Sequence, residues 1–225
     1  MLEELFIKSR DFININNQEY KRYFIKTKQL EHRLSIIIGS RGIGKTTTVA
    51  QYINANYKEN EALYVNLDDI QISSKYTMTA IAEEFVLNGG KLLCFDEIHK
   101  YENWSAELKN IYDRFDKLKI IATGSSALQI NKGSHDLSRR AIVYNMVGMS
   151  FREFLELHYR YKFEAITLED IVSSHMAIAT TIKNTIEQND QKIIPLFKEY
   201  LKHGYYPYFL SMPNEVMFFQ TLQQN

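Results

Sequence analysis

One stretch of the 225-residue chain decides its fold, and it reads Leu34-Ser35-Ile36-Ile37-Ile38-Gly39-Ser40-Arg41-Gly42-Ile43-Gly44-Lys45-Thr46. The run from residue 34 to residue 38 is hydrophobic and rich in isoleucine, which is typical of a strand buried on both faces. Three of the chain's 9 glycines fall between residues 39 and 44, and they allow a tight backbone turn. Residues 46–57 continue with a helical pattern. A strand, a glycine-rich turn and a helix in this order predict an α/β fold.

The glycine-rich turn matches the phosphate-loop pattern, in which Gly and four further residues precede Gly-Lys-Ser/Thr. In such a loop the backbone N–H groups point inward, and the N-terminus of the following helix adds positive potential. Lys45 would place its charge on the β- and γ-phosphates of a nucleoside triphosphate, and the Thr46 hydroxyl would hold Mg²⁺. Arg41 is either a contact to phosphate or a partner, or an exposed, solvated charge. The predicted nucleotide-binding residues are Gly39, Ser40, Arg41, Gly42, Ile43, Gly44, Lys45, Thr46 and Thr47.

Two carboxylates follow another apolar run. The residues from Leu92 to Phe95 predict a strand, and Asp96-Glu97 comes directly after it, at the carboxyl edge where open α/β sheets bind ligands. Asp96 suits the metal side of such a site, and Glu97 could orient the attacking water. Taken alone, an Asp-Glu pair after a strand is ordinarily a turn or a helix start. Together with the phosphate loop, the pair predicts a catalytic glutamate and a metal-binding aspartate.

The stretch Thr123-Gly124-Ser125-Ser126 follows a further predicted strand, residues 119–122, and should lie at the same sheet edge. Thr123 or Ser125 could contact the γ-phosphate or the attacking water, and the pattern alone does not choose between them. A serine helix cap next to a glycine turn is the structural alternative.

An arginine can stabilise the charge that develops on the transferred phosphoryl group. The dipeptide Arg139-Arg140 is the best-placed source of such an arginine. We expect Arg140 to act on the phosphoryl group within the chain or from a neighbouring copy. The alternative for this dipeptide is a solvated charge cluster.

The order of predicted elements indicates a five-stranded parallel sheet covered by helices. Strands are expected at residues 34–38, 62–67, 91–95, 119–122 and 141–147, and helices at residues 17–30, 46–57, 79–87 and 105–115. After Ser150 the pattern is helical. We therefore place a core that contains the phosphate loop at residues 1–149 and a helical region with a C-terminal tail, truncated if the chain is a fragment, at residues 150–225.

Composition narrows the class of protein. The 27 Lys and Arg balance 27 Asp and Glu, so there is no global basic field to attract nucleic acid or anionic lipid. No uncharged run approaches the roughly 18 residues of a membrane-spanning helix. The single cysteine, Cys94, cannot form an internal disulfide, which fits a reducing compartment. We expect a cytoplasmic protein without membrane contact.

The motifs at residues 39–46, 96–97 and 123–126 together resemble those of AAA+ ATPases. Leu137-Ser138-Arg139-Arg140, Met149-Ser150-Phe151-Arg152-Glu153-Phe154 and Gly204-Tyr205-Tyr206-Pro207 further resemble landmarks of uncharacterised prokaryotic AAA+ ATPases that carry an additional C-terminal domain of unknown function. The resemblance implies a P-loop NTPase sheet with strand order 5-1-4-3-2, binding of ATP with Mg²⁺, slow hydrolysis and a helical lid.

The predicted function is therefore a Mg-dependent ATPase that acts as an AAA+ switch. The first alternative is a nucleotide-gated module that binds a partner or DNA with little turnover, and the second is a small-molecule kinase. The box Asp96-Glu97-Ile98-His99 also occurs in helicases, but those need two nucleotide-fold domains, and we expect His99 to be a partly exposed polar residue. The aromatic segment 204–219 should pack on the lid or contact a second copy or a protein partner.

Overall fold

Five parallel strands form one sheet in the computed structural model, which describes residues 1–28, 30–125 and 137–223. The spatial order is β2-β3-β4-β1-β5, which confirms the order 5-1-4-3-2 and the α/β, P-loop NTPase fold class. The strands are β1 (Leu34–Ile38), β2 (Ala62–Asn66), β3 (Leu92–Asp96), β4 (Lys119–Gly124) and β5 (Ala141–Asn145).

The central strands are buried along their whole length. All five residues of β1 and all five of β3 are buried, as expected for parallel strands that are covered on both faces. β1 lies between β4 and β5, with Leu34 opposite Ile120 and Ala141. The phosphate loop therefore leaves the sheet from its interior, at the carboxyl ends of its strands.

Helices connect and cover these strands. They are α1 (Leu2–Asn16), α2 (Tyr23–Thr27), α3 (Lys45–Asn56), α4 (Ile70–Ser73), α5 (Met78–Leu87) and α6 (Trp104–Arg114). A short 3-10 turn, Ile98–Lys100, follows β3. Helix α1 buries Leu2, Leu5 and Ser9.

The helix predicted over residues 17–30 is wrong in extent, because among the described residues of that range only α2 is helical. The reason is visible in the residues before it. The side-chain amide of Gln51 donates to the backbone carbonyls of Gln18, at 2.8 Å, and Tyr20, at 2.7 Å. Because these carbonyls accept hydrogen bonds from a side chain of α3, the segment before α2 is irregular and lies along α3.

By its internal contacts the chain divides into two compact units, Met1–Val147 and Gly148–Asn225. The first contains the sheet, and the second is helical within the described residues. Our assignment of an ATPase core to residues 1–149 and of a lid to residues 150–225 stays a prediction.

The second unit is built from α7 (Phe151–Tyr159), α8 (Leu168–Glu187), α9 (Ile193–Glu199), a π-helical turn (Tyr200–Gly204), a 3-10 turn (Pro207–Ser211) and α10 (Glu215–Gln223). Ser150 and Glu153 form a capping box at the start of α7, which satisfies two otherwise unpaired backbone N–H groups. The side chain of Phe154 is fully buried at the centre of this unit.

The aromatic segment 204–219 packs in part on its own unit. The rings of His203 and Phe209 stack with centroids 4.4 Å apart, and Phe218 is buried. Leu210 and Val216 remain exposed. A partner or second copy on this surface stays a prediction. In the part of the chain that the structure describes, none of the helices has the length and apolar character needed to cross a membrane.

Candidate functional site

The phosphate loop needs its glycines for two different reasons. Gly42 and Gly44 have φ angles of 82° and 95°, in the left-handed region that glycine enters without a steric penalty. At Gly39 the reason is space, because a Cβ atom there would lie 2.2 Å from the carbonyl oxygen of Met146. Met146, the residue after β5, therefore packs directly against Gly39, the first residue of the loop.

Lys45 begins α3 and turns back over the loop. Its Nζ donates to the carbonyl oxygens of Gly39, at 2.8 Å, and Ser40, at 3.0 Å. The side chain is buried, and this burial lowers the pKa of Lys45, while the carboxylates of Glu97 and Asp96 act in the opposite direction. The loop thus holds one cationic group close to its own backbone, facing the two acids.

The remaining loop residues differ in exposure. Ile43 is buried and anchors the loop in the core, whereas Ser40 and Arg41 are exposed and Thr47 is half-buried. The charge of Arg41 contributes to the lowered pKa of Lys45, so the guanidinium lies near the loop. Both interpretations of Arg41 stay open.

A buried arginine that the motifs did not reveal braces this loop. Arg22 donates to the carbonyl oxygen of Ile43 and, at 2.9 Å, to that of Val147. It lies 21 residues before the first partner and 125 before the second. No local pattern in the sequence predicts such contacts.

Asp96 is the meeting point of the site. It is 3% exposed, and one oxygen, Oδ2, accepts hydrogen bonds from Thr46 Oγ1 at 3.0 Å and from the Tyr64 hydroxyl at 2.6 Å. The other oxygen, Oδ1, accepts from the Thr123 hydroxyl and from the backbone N–H of Glu97. Four donors hold this carboxylate, as a buried charge requires.

Glu97 occupies a different environment one residue later. Its φ angle is 53°, a left-handed conformation that a residue with a side chain adopts at a cost of roughly 1 kcal/mol or more. Oε2 accepts from Ser125 Oγ at 3.3 Å and lies 3.3 Å from His99 Nδ1. Ser125 Oγ also lies 3.3 Å from His99 Nε2. Glu97, His99 and Ser125 therefore form one polar cluster beside Asp96.

The two candidates for contact with the γ-phosphate or the attacking water, Thr123 and Ser125, consequently contact different acids. Thr123, which is buried at the end of β4, contacts Asp96, and Ser125 contacts Glu97. Ser126 lies outside the described residues. His99 is only 9% exposed at its side chain, and its contact with Glu97 was not apparent from the sequence.

Arg140 is not brought to the phosphate loop within the chain. It immediately precedes β5, so it lies at the amino edge of the sheet, opposite the edge that carries Lys45. Its Nε and one Nη donate to the two carboxylate oxygens of Asp113, at 2.8 and 3.0 Å. Donation of Arg140 to a neighbouring copy stays a prediction.

The donors present fit a magnesium ion that arrives with a nucleotide. Among the described residues, no group of three or more His, Cys, Asp or Glu side chains could hold a metal ion. Thr46 Oγ1 and Asp96 Oδ2 lie 3.0 Å apart and offer the hydroxyl and carboxylate oxygens that Mg²⁺ takes from protein, with phosphate and water supplying the rest.

Comparison with known proteins places this site in a family. The model of a family described as an AAA domain matches residues 31–155, a range that contains Lys45, Asp96, Glu97, Thr123 and Arg140.

Two proteins of Methanocaldococcus jannaschii are similar to the chain. The uncharacterized protein MJ1637 is 31% identical over 217 residues, which cover 91% of this chain and 44% of that protein. The uncharacterized protein MJ1544 is 28% identical over 136 residues, covering 59% of this chain and 30% of that protein. The chain thus spans less than half the length of either relative.

Among solved structures, C. elegans PCH-2 matches with a TM-score of 0.38 and 17% identity, over 68% of this chain and 44% of that one. The family match itself covers more than half of the present sequence and every predicted site residue. The chain belongs to the AAA domain family, whose function is nucleotide-binding and ATPase-like.

Proposed function

We propose that this chain binds ATP together with Mg²⁺ and hydrolyses it to ADP and phosphate. One observation carries the proposal, the 3.0 Å hydrogen bond from Thr46 Oγ1 to Asp96 Oδ2. It joins the end of the phosphate loop to the acid at the end of β3. The two groups that would share the metal are therefore neighbours at one sheet edge.

The residues have distinct roles in this mechanism. The backbone N–H groups of residues 39–47 and the ammonium of Lys45 bind the phosphates. Thr46 and Asp96 would hold Mg²⁺, which neutralises charge on the β- and γ-phosphate oxygens when bound. Glu97 accepts a hydrogen bond from the attacking water and orients it in line with the γ-phosphate.

The chain's own geometry supports this division between the two acids. Asp96 is fixed by four donors, whereas Glu97 has a half-buried carboxylate that is 22% exposed at its side chain. A carboxylate that must meet a water needs access to solvent, and one that holds a metal needs a fixed orientation. The strained backbone of Glu97 is the kind of outlier that clusters at functional sites.

A second candidate function is a nucleotide-gated module that binds a protein partner or DNA with little or no turnover. The contacts of Glu97 favour it, because Ser125 and His99 engage the carboxylate that would orient water. In this case ATP would be retained and the bound state would be the signal. Formation of a homo-oligomer and a cytoplasmic location are part of our proposal under either function.

Two measurements test the proposal. Calorimetric titration with ATP and Mg²⁺ should show binding to the wild-type chain and loss of binding for Lys45→Ala. Lys183→Ala, which alters an exposed pair with Glu187, is the matched control and should bind normally. Absence of binding to the wild-type chain would overturn the proposed function.

Phosphate release then separates the two candidates. Glu97→Gln should keep ATP affinity and lose turnover by roughly 100-fold or more, as expected for a group that acts on the attacking water. Glu83→Gln, which alters an exposed pair with Arg114, should release phosphate at the wild-type rate. Equal rates for the wild-type chain and Glu97→Gln would remove Glu97 from catalysis, and rates that are equal and negligible would favour the gated module.

A further inference from the structure

A buried tyrosine outside the recognisable motifs contacts the metal-side acid. The Tyr64 hydroxyl donates to Asp96 Oδ2 at 2.6 Å, and the residue is 6% exposed. Tyr64 belongs to β2, which pairs with β3 so that Tyr64 lies opposite Cys94. Its ring therefore reaches two residues along the neighbouring strand to the oxygen that Thr46 also contacts.

The hydroxyl of Tyr64 is the donor in this hydrogen bond. A carboxylate oxygen can only accept, and a tyrosine phenol carries its proton at neutral pH. A hydrogen bond from a neutral donor to a buried carboxylate fixes the direction in which that carboxylate points.

Helix α1 holds this tyrosine at two points. The ring of Phe12 stacks on the ring of Tyr64, with centroids 3.4 Å apart and planes 4° from parallel. The backbone N–H of Tyr64 donates to Ser9 Oγ at 3.0 Å. Because β2 lies at one edge of the sheet, Ser9 offers this N–H an acceptor where no further strand does.

Helix α1 packs into the core of the first unit and forms an ion pair there. Leu2 and Leu5 enter the hydrophobic core, and Lys8 Nζ contacts Asp69 Oδ2 at 2.7 Å. Residues 2–16 lie outside the range 31–155 that the family match covers. The contacts that fix Tyr64 are thus supplied by a segment that precedes the matched domain.

We infer that Tyr64 is a positioning residue for Asp96, and that α1, through Phe12 and Ser9, fixes Tyr64 and thereby sets the Mg²⁺ requirement of ATP binding. This inference rests on the proposed function, because it concerns the same metal-side carboxylate. Tyr64 does not touch the nucleotide in this scheme. It acts by keeping Oδ2 of Asp96 directed at Thr46.

The test measures nucleotide affinity by calorimetry with and without Mg²⁺. AMP-PNP is titrated in place of ATP so that turnover does not interfere. In Tyr64→Phe the gain in affinity on adding Mg²⁺ should fall by about tenfold, the effect of losing one hydrogen bond to a charged group. Affinity in EDTA should stay within about twofold of the wild-type value, because the phosphate loop is untouched. Phe12→Leu should shift the Mg²⁺ dependence in the same direction.

Tyr159→Phe is the matched control, since the Tyr159 hydroxyl donates to another carboxylate, that of Glu199, in the second unit. This variant should leave the Mg²⁺ dependence of binding unchanged. A change in the control as well would point to a general loss of stability. If Tyr64→Phe loses its folded circular-dichroism spectrum, Phe12→Leu decides the matter by the same criterion. A folded variant with wild-type Mg²⁺ dependence would overturn the role of Tyr64 alone, whereas a wild-type chain without ATP binding would overturn the proposed function as well.

Discussion

Thr46 and Asp96 are 50 residues apart in the chain, and a hydrogen bond of 3.0 Å joins their side chains. Thr46→Ala removes the hydroxyl from the metal side and leaves the loop backbone intact. We expect ATP binding in EDTA to persist and the gain on adding Mg²⁺ to fall by about tenfold. Thr180→Ala, an exposed helix threonine whose hydroxyl contacts the Met176 carbonyl, is the control. Equal loss of affinity with and without Mg²⁺ would contradict this assignment.

Substitutions of Ser125 and Thr123, which contact different acids, should give separable defects. Ser125→Ala deletes the donor to Glu97 Oε2 and should lower phosphate release by about 10- to 100-fold, since the carboxylate that orients water is less well placed. ATP affinity should stay within about twofold, because Ser125 contacts neither Asp96 nor the loop. Ser173→Ala, on an exposed helix face, is the matched control.

Thr123→Val should behave differently, because it leaves Asp96 one donor short in a buried environment. Loss of that hydrogen bond should lower the free energy of unfolding by about 1–3 kcal/mol and weaken Mg²⁺-dependent binding. Chemical denaturation and calorimetry measure the two effects. The same defect profile for both variants would show that the acids do not have separate partners.

Alkaline pH should destabilise the chain through Tyr64. Burial and the charge of Asp96 raise the pKa of Tyr64 above its ordinary value of 10.0. Below pH 10 the phenol is protonated in both states and its contribution is constant. Above pH 10 the unfolded chain releases the proton and the folded chain keeps it, so stability falls as pH rises, by about 1.4 kcal/mol per pH unit for one group.

Urea denaturation between pH 9 and pH 11 checks this effect. The slope above pH 10 should be smaller in Tyr64→Phe than in the wild-type chain. It should be unchanged in Tyr205→Phe, which alters an exposed tyrosine. Identical slopes for Tyr64→Phe and the wild-type chain would mean that the Tyr64 phenol titrates normally.

Mixing two variant proteins tests whether Arg140 acts in a neighbouring copy. Its bidentate pair with Asp113 lies at the sheet edge opposite Lys45, so the arginine can act on phosphate only from a neighbouring copy. Donation between copies predicts that Arg140→Ala binds ATP normally but loses turnover by up to about 10³-fold. Adding inactive Lys45→Ala protein should then restore phosphate release, and Arg139→Ala serves as control. Full activity of Arg140→Ala alone would end this role.

The sheet could be predicted from the sequence because its signals are local. The hydrophobic runs at residues 34–38 and 92–95 identified strands, and the glycine pattern identified the turn between β1 and α3. Helix α1 was missed because its buried face is narrow, with exposed Ile7 and Ile15 interrupting the apolar pattern. The extent of α2 was wrong because the side chain of Gln51, far along the chain, binds the backbone ahead of it.

The candidate site shows the same limit. The phosphate loop and the acid pair were predictable because each motif is contiguous in the chain. Tyr64 and Arg22 were not, since their partners lie 32 and up to 125 residues away. A tyrosine in an apolar strand does signal a hydroxyl in need of a partner, but the identity of that partner depends on strand order. Local sequence therefore specifies the groups that would bind phosphate, and tertiary structure specifies the groups that hold them in place.

Hydrogen bonds connect the end of the first unit to β1 and to the phosphate loop. Met146 donates its N–H to the Ile38 carbonyl at 2.8 Å, and Arg22 clamps the carbonyls of Ile43 and Val147 together. Val147 is the last residue before the second unit begins at Gly148. Any displacement of the loop backbone that keeps these hydrogen bonds must therefore also displace residues 146–147, the last two residues of the first unit.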